Sequence, residues 1–140
     1  MDNNSELERY EVLDRQCQQS SQSIKRMIAQ ISPQFIMTHG KEIVEGWKNL
    51  RTLSIQSSTC LQQLGMKYAH DSEKFGKLLQ GAERRLDRQL DDLSEMRRAI
   101  LSMPASLTAP AVVEQQNRIL NAIAMAQDSF NHEIDRLYDL

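Results

Sequence analysis

An all-α fold is what this sequence predicts, and three observations carry it. Apolar residues recur at steps of three and four along most of the chain, while strand-like alternation is nearly absent. Three Pro and five Gly in 140 residues are too few for a turn-rich sandwich or barrel. Aromatic residues make up 5% of the chain against 40% hydrophobic, so the core is aliphatic with Met as filler. Its polar surplus is Gln, Arg and Ser, of which the first two favour helix. The expected architecture is a single domain over 1–140, built of long amphipathic helices that form a coiled-coil-like helical hairpin or a four-helix bundle.

The first helix is expected over 5–31. Tyr10, Leu13, Cys17, Ser20, Ile24, Met27 and Ile31 follow a heptad seam. Acidic residues (Asp2, Glu6, Glu8, Glu11) crowd its start and Lys25 and Arg26 lie near its end, as the helix dipole prefers. Its middle is unusual: in "QCQQSSQS", residues 16–23, only Cys17 is apolar. Ser32 suits an N-cap and Pro33 the first turn of a new helix, and Pro33 turns the chain by driving Ser32 out of helical geometry.

The second apolar pattern spans 34–101 without a proline, through Ile36, Ile43, Trp47, Leu50, Leu61, Leu64 and Tyr68, then Leu79, Leu86, Leu93 and Ile100. Ala82, Gln89 and Met96 fill the alternate seam positions of the later part. Continuous, it would be a rod of about 100 Å. The phase slips near Phe75 and Leu79, so a break near 70–72, capped by Asp71 or Ser72, is the alternative. "MPASLTAP" at 103–110 reads as a loop, and a last helix over 111–138 runs through Val112, Ile119, Ile123, Ala126, Phe130 and Leu137.

An antiparallel hairpin turning at Ser32–Pro33 pairs positions whose numbers total about 65. Trp47 then falls opposite Cys17 and Gln18, small residues making the hole that the indole fills. The second small, polar stretch, "SIQSSTC" at 54–60, falls opposite 5–11, where Leu7 and Tyr10 supply bulk. Cys17 and Cys60 are offset by about 18 Å in that pairing, too far for a disulfide.

Chemistry-bearing motifs are few. His39, His70 and His132 are dispersed, with no HExxH and no paired cysteines. Asp128 and His132 share a helix face, but two ligands do not close a metal site, and an ion pair is the expected reading. Cys17 lies on an apolar seam without a neighbouring base, which suits a buried small hydrophobe better than a nucleophile. No phosphate-cradling glycine motif is present. In "ERRLDRQLDDLSEMRR", 83–98, Arg88 can pair with Asp92, Arg84 with Asp87 and Glu95 with Arg98, the interlacing of a solvated flank rather than a phosphate-binding stripe.

The net charge of −2 offers no basic field, and no apolar run reaches the ~18 residues of a membrane span. The start lacks the basic and apolar regions of a signal peptide, and two distant cysteines are no disulfide framework. An intracellular, cytoplasmic setting follows as the expectation, with no cofactor or metal and with nucleic acid disfavoured. The expected function is non-enzymatic protein–protein association, as a structural subunit or adaptor of a larger coiled-coil assembly. A small helical chaperone holding a cargo segment, or a DNA-associated regulator using the Arg-rich 84–98 face, is the alternative.

Leu79, Leu86, Leu93 and Ile100 form a ladder broadened by Leu78, Leu90 and Leu101, a front too wide for one neighbour. Leu79, Leu86, Leu90, Leu93 and Ile100 are therefore the expected contacts to a homo- or hetero-oligomeric helical partner. Cys17 and Trp47 are the expected packing residues.

Overall fold

The computed structural model describes residues 2–67, 72–103 and 109–139. They form four helices: α1 (Asp2–Ile28), α2 (Pro33–Lys67), α3 (Ser72–Leu101) and α4 (Pro110–Tyr138). Among the described residues there is no strand.

The caps fall where local chemistry puts them. Ser32 Oγ accepts the Phe35 N–H at 3.0 Å, a side-chain N-cap for α2 just ahead of Pro33. α1 stops at Ile28 instead of residue 31, because the chain tightens there: Gln30 N–H reaches the Met27 carbonyl at 3.0 Å and Ile31 N–H the Ile28 carbonyl at 3.3 Å. Ala109 is extended and Pro110 opens α4, one residue before the expected start.

Cross-helix pairs set the directions. Cys60 Sγ lies 3.5 Å from the Glu6 carbonyl, while Gly46 meets Ile24 and Met27, so α1 and α2 are antiparallel. Trp47 pairs with Met96, Ser54 with Arg85 and Gly65 with Phe75, so α3 runs back along α2. The continuous rod over 34–101 is thereby excluded. Residues 68–71, where the expected break and the Asp71 cap fall, lie outside the described residues, as does the side chain of Ser72.

Asp14 meets Arg85 and Lys25 meets Asp92, which makes α1 and α3 parallel. Gly40 meets Gln115 while Ser54 and Ser58 meet Glu133, which makes α2 and α4 parallel. Around the bundle the order is α1, α2, α4, α3, with the consecutive helices α2 and α3 on opposite corners.

Toward the open end the hairpin keeps the expected register, Cys60 meeting Glu6 and sharing a core with Leu7 and Tyr10, whereas nearer the turn it differs by about a helical turn. Gly46 meets Ile24 and Met27 and not the region of Gln19. Residues 29–32 are not α-helical, and their length lets α2 begin beyond the end of α1. Trp47 is fully buried, but its Nε1–H points to Met96 Sδ at 3.0 Å, and Gln18 is exposed. Cys17 and Trp47 are both fully buried and share one core cluster.

That main core holds Ile24, Ile36, Ile43, Leu86, Leu93, Ile119 and Phe130 among others, and a second gathers Tyr10, Leu13, Cys60, Leu61, Leu64, Phe75 and Ala82. The polar stretch of α1 buries only Cys17 because it borders two clefts. Gln16, Gln19, Ser20 and Ser23 face one shared with α2, and Gln18, Ser21 and Gln22 face another shared with α3.

Candidate functional site

Between the two apolar cores lies a polar layer to which every helix contributes. From α2, Ser54 and Ser58 donate to the same oxygen of α4 Glu133, at 2.7 and 2.6 Å. From α3, Arg85 Nη1 donates to Ser54 Oγ at 2.9 Å and to Gln89 Oε1 at 2.8 Å, and Gln89 Nε2 donates to Ser54 Oγ at 3.1 Å. Asp14 of α1 closes the chain, its Oδ1 lying 3.4 Å from Arg85 Nε. Ser54 thus donates once and accepts twice, the full capacity of a hydroxyl.

This explains the small residues at 54–60. A larger side chain at Ser54 or Ser58 would fill the space that the Arg85 and Glu133 heads require. Arg85 is 5% exposed and Glu133 4% exposed, and the two are linked through Ser54, so truncating Arg85 removes a buried donor from Ser54 and Gln89 and the charge opposite Asp14, a cost of about 1–3 kcal/mol.

Burial pushes the Glu133 carboxyl above the usual carboxylate range, against the hydrogen bonds of Ser58 and Ser54 and the charge of Arg85. Burial likewise raises the Cys17 thiol to about 11 although Arg85 Nη1 lies 3.8 Å from its sulfur. At neutral pH Cys17 is a protonated thiol, a poor nucleophile. Cys17 and Cys60 are both buried and free. Among the described residues no group of three His, Cys, Asp or Glu side chains could hold a metal ion. Asp128 and His132 are exposed on α4, and His70 lies outside the described residues.

The ladder expected to meet another polypeptide is occupied by the chain itself. Leu86 and Leu93 are fully buried and Ile100 is 2% exposed, all in the main core with helix α4. Leu79 and Leu90 are half-buried and pack on the second and main cores respectively. α4 supplies the cover that the hairpin register alone does not reveal. Asp92 also departs from expectation: it is 3% exposed, and its Oδ1 lies 4.0 Å from Lys25 Nζ.

The outer surface offers a different feature, a groove between the parallel helices α2 and α4. One section, of about 500 Å3, is floored by Val44, Ala122 and Met125 and bordered by Lys41, Lys48 and Arg118. Met125 joins it to a second section of about 550 Å3 that includes Ile55, Arg51, Arg136, Asp128 and His132. Met125 is 53% exposed and Ile55 39%. Arg118 also pairs with Glu114 at 2.8 Å. Five cationic side chains thus line the groove against Asp128 and the buried Glu133, in a chain whose net charge is −2.

Sequence reasoning missed Arg85, Glu133 and the groove. Glu133 left a trace: it stands three residues after Phe130 and four before Leu137, a seam position that should be apolar. Arg85 left none, because on the helix surface it reads like the exposed Arg84 beside it. The groove residues belong to two helices distant in sequence, and only the packing of α2 on α4 assembles them.

No family model, no curated protein and no solved structure matches this chain.

Proposed function

We propose that the chain is a non-enzymatic helical interaction module, a subunit or adaptor of a larger helical assembly, whose α2–α4 groove receives an acidic amphipathic helix. The groove carries this reading: an apolar floor containing Ile55 and Met125, edged by Lys41, Lys48, Arg51, Arg118 and Arg136. From Lys41 to Ser58 it extends about 25 Å at helical rise, enough for a partner helix of about five turns. Met adapts to varied apolar surfaces, and a helix in a groove presents anchors at steps of three and four. Carboxylates flanking those anchors would meet the basic rim. The partner face assigned here differs from the Leu86–Ile100 ladder, which the bundle consumes.

The test is titration of the full chain with a synthetic Leu/Glu amphipathic helix of about 18 residues, alongside a peptide of the same composition with its periodicity scrambled. Saturable binding that weakens with added salt is expected for the first alone. Met125→Asp should abolish it, and Lys48→Glu with Arg118→Glu should weaken it at least about tenfold. These positions are exposed, so the bundle should keep its helicity. Equal binding of the scrambled peptide, or none of either, rejects the reading. Binding of duplex DNA in place of the peptide would favour the regulator, and concentration-dependent dimers blocked by Met125→Asp would make the occupant a second copy.

A further inference from the structure

Along its length the α2–α4 groove is graded in charge. Lys41, Lys48 and Arg118 line the section nearer the N-termini of the two helices, with no carboxylate beside them among the described residues of the lining. Arg118 is shared with Glu114 at 2.8 Å, and Lys41 and Lys48 still leave that section positive. The section nearer the C-termini sets Arg51 and Arg136 against Asp128 and the buried Glu133. The two sections meet at Met125, so one bound helix spans both.

A helix is graded as well. Its last turn leaves carbonyls unpaired and carries partial negative charge, which neighbouring cations stabilise, while its first turn favours anions. α2 and α4 are parallel, so the groove has a direction. A helix lying antiparallel to them sets its last turn beside Lys41 and Lys48. Laid parallel, it sets that turn in the section holding Asp128 and Glu133, where acids meet carbonyl oxygens. Acidic side chains reinforce the antiparallel choice when they stand in the C-terminal half of the partner, over the positive section.

We propose that the groove is directional: it seats its partner antiparallel to α2 and α4 and selects a helix whose acidic residues are concentrated in its C-terminal half. This rests on the helix-docking reading of the groove and adds to it the polarity and charge pattern of the partner.

Two charge isomers of the Leu/Glu peptide of about 18 residues, titrated against the full chain, test it. One carries Glu in its C-terminal half and Gln in its N-terminal half on the polar face, and the other reverses them, so composition and net charge are identical. The second is intrinsically the better helix, because acids favour a first turn, so tighter binding of the first cannot come from its own helicity. The first should bind at least about tenfold more tightly. Lys41→Gln with Lys48→Gln, both at exposed positions, should bring the two affinities close to equal. Disulfide trapping reads the direction, and Cys17 and Cys60 are buried and do not compete. With one cysteine at its C-terminus, the first peptide should couple to Gln115→Cys at least about tenfold faster than to His132→Cys, and with the cysteine at its N-terminus the order should reverse. Saturable binding of both isomers with equal affinity, tighter binding of the second, or the opposite trapping order would each overturn the proposal and leave the groove as the docking site. Absence of saturable binding by either isomer would overturn both.

Discussion

Burial at Asp92 works against its own charge, and the sign of the consequence runs opposite to that of an ordinary surface carboxylate. Its pKa rises from the usual 3.8 to about 6, with burial outweighing the opposing charge of Lys25. Between those values the folded protein holds a proton that the unfolded chain has released. Stability from this group is therefore fully present below about pH 4 and is lost as pH rises through about 6. Two pH units correspond to about 2–3 kcal/mol. Glu133, also raised by burial, contributes with the same sign. Asp92→Asn should exceed wild type in thermal stability at pH 7.5, with the gap shrinking as pH falls toward 4.5. Melting curves of the two proteins across that range check this, and a gap that widens on acidification would show that Asp92 is stabilised in its charged form.

Helices α2 and α3 owe their packing to glycine at one position and not at another. A Cβ built on Gly65 would stand 2.6 Å from Phe75 Cζ, and Phe75 is itself only 9% exposed. Gly65→Ala forces that ring to move and should cost about 1–3 kcal/mol. Gly76 has nothing within 4 Å of its Cβ position and lies inside α3. Gly76→Ala removes only chain entropy and should add about 0.5–1 kcal/mol. Urea unfolding with unchanged slope measures both, and a destabilised Gly76→Ala would mean that α3 does not continue as helix through this residue. Element boundaries were legible to this degree: Ser32, Pro33 and Pro110 announce their helices through local backbone chemistry. The early end of α1 was not, since Ile31 fits the apolar period and leaves the helix only because of the turn ahead of Pro33.

Across the whole molecule, the ring order α1, α2, α4, α3 is the feature most open to direct test. Gly40 on α2 faces Gln115 on α4, with an ideal Cβ at the glycine 3.5 Å from the Gln115 Cβ. That separation suits a disulfide. Gly40→Cys with Gln115→Cys should therefore oxidise readily to an intramolecular bridge, seen as faster migration without reductant, and raise the melting temperature. Failure to oxidise in the folded monomer would exclude parallel, adjacent α2 and α4. It would remove the proposed groove as well, because Lys41, Lys48 and Arg118 come together only through that neighbourhood.

Periodicity by itself determined that this chain is helical, that Leu86, Leu93, Met96 and Ile100 share a face, and that Trp47 is interior. These follow from local geometry, because a 3.6-residue repeat places such residues on one stripe whatever lies against it. Only the tertiary structure decided what lies against it. The stripe of α3 is covered by α4 and crossed by Trp47, so the same leucines that read as an unpartnered front are core. Arg85 and Asp92, indistinguishable in sequence from their solvated neighbours, are buried because other helices close on them, α1 and α2 on Arg85 and α1 on Asp92. Which charge is buried depends on contacts between segments distant in sequence, and no local repeat encodes those.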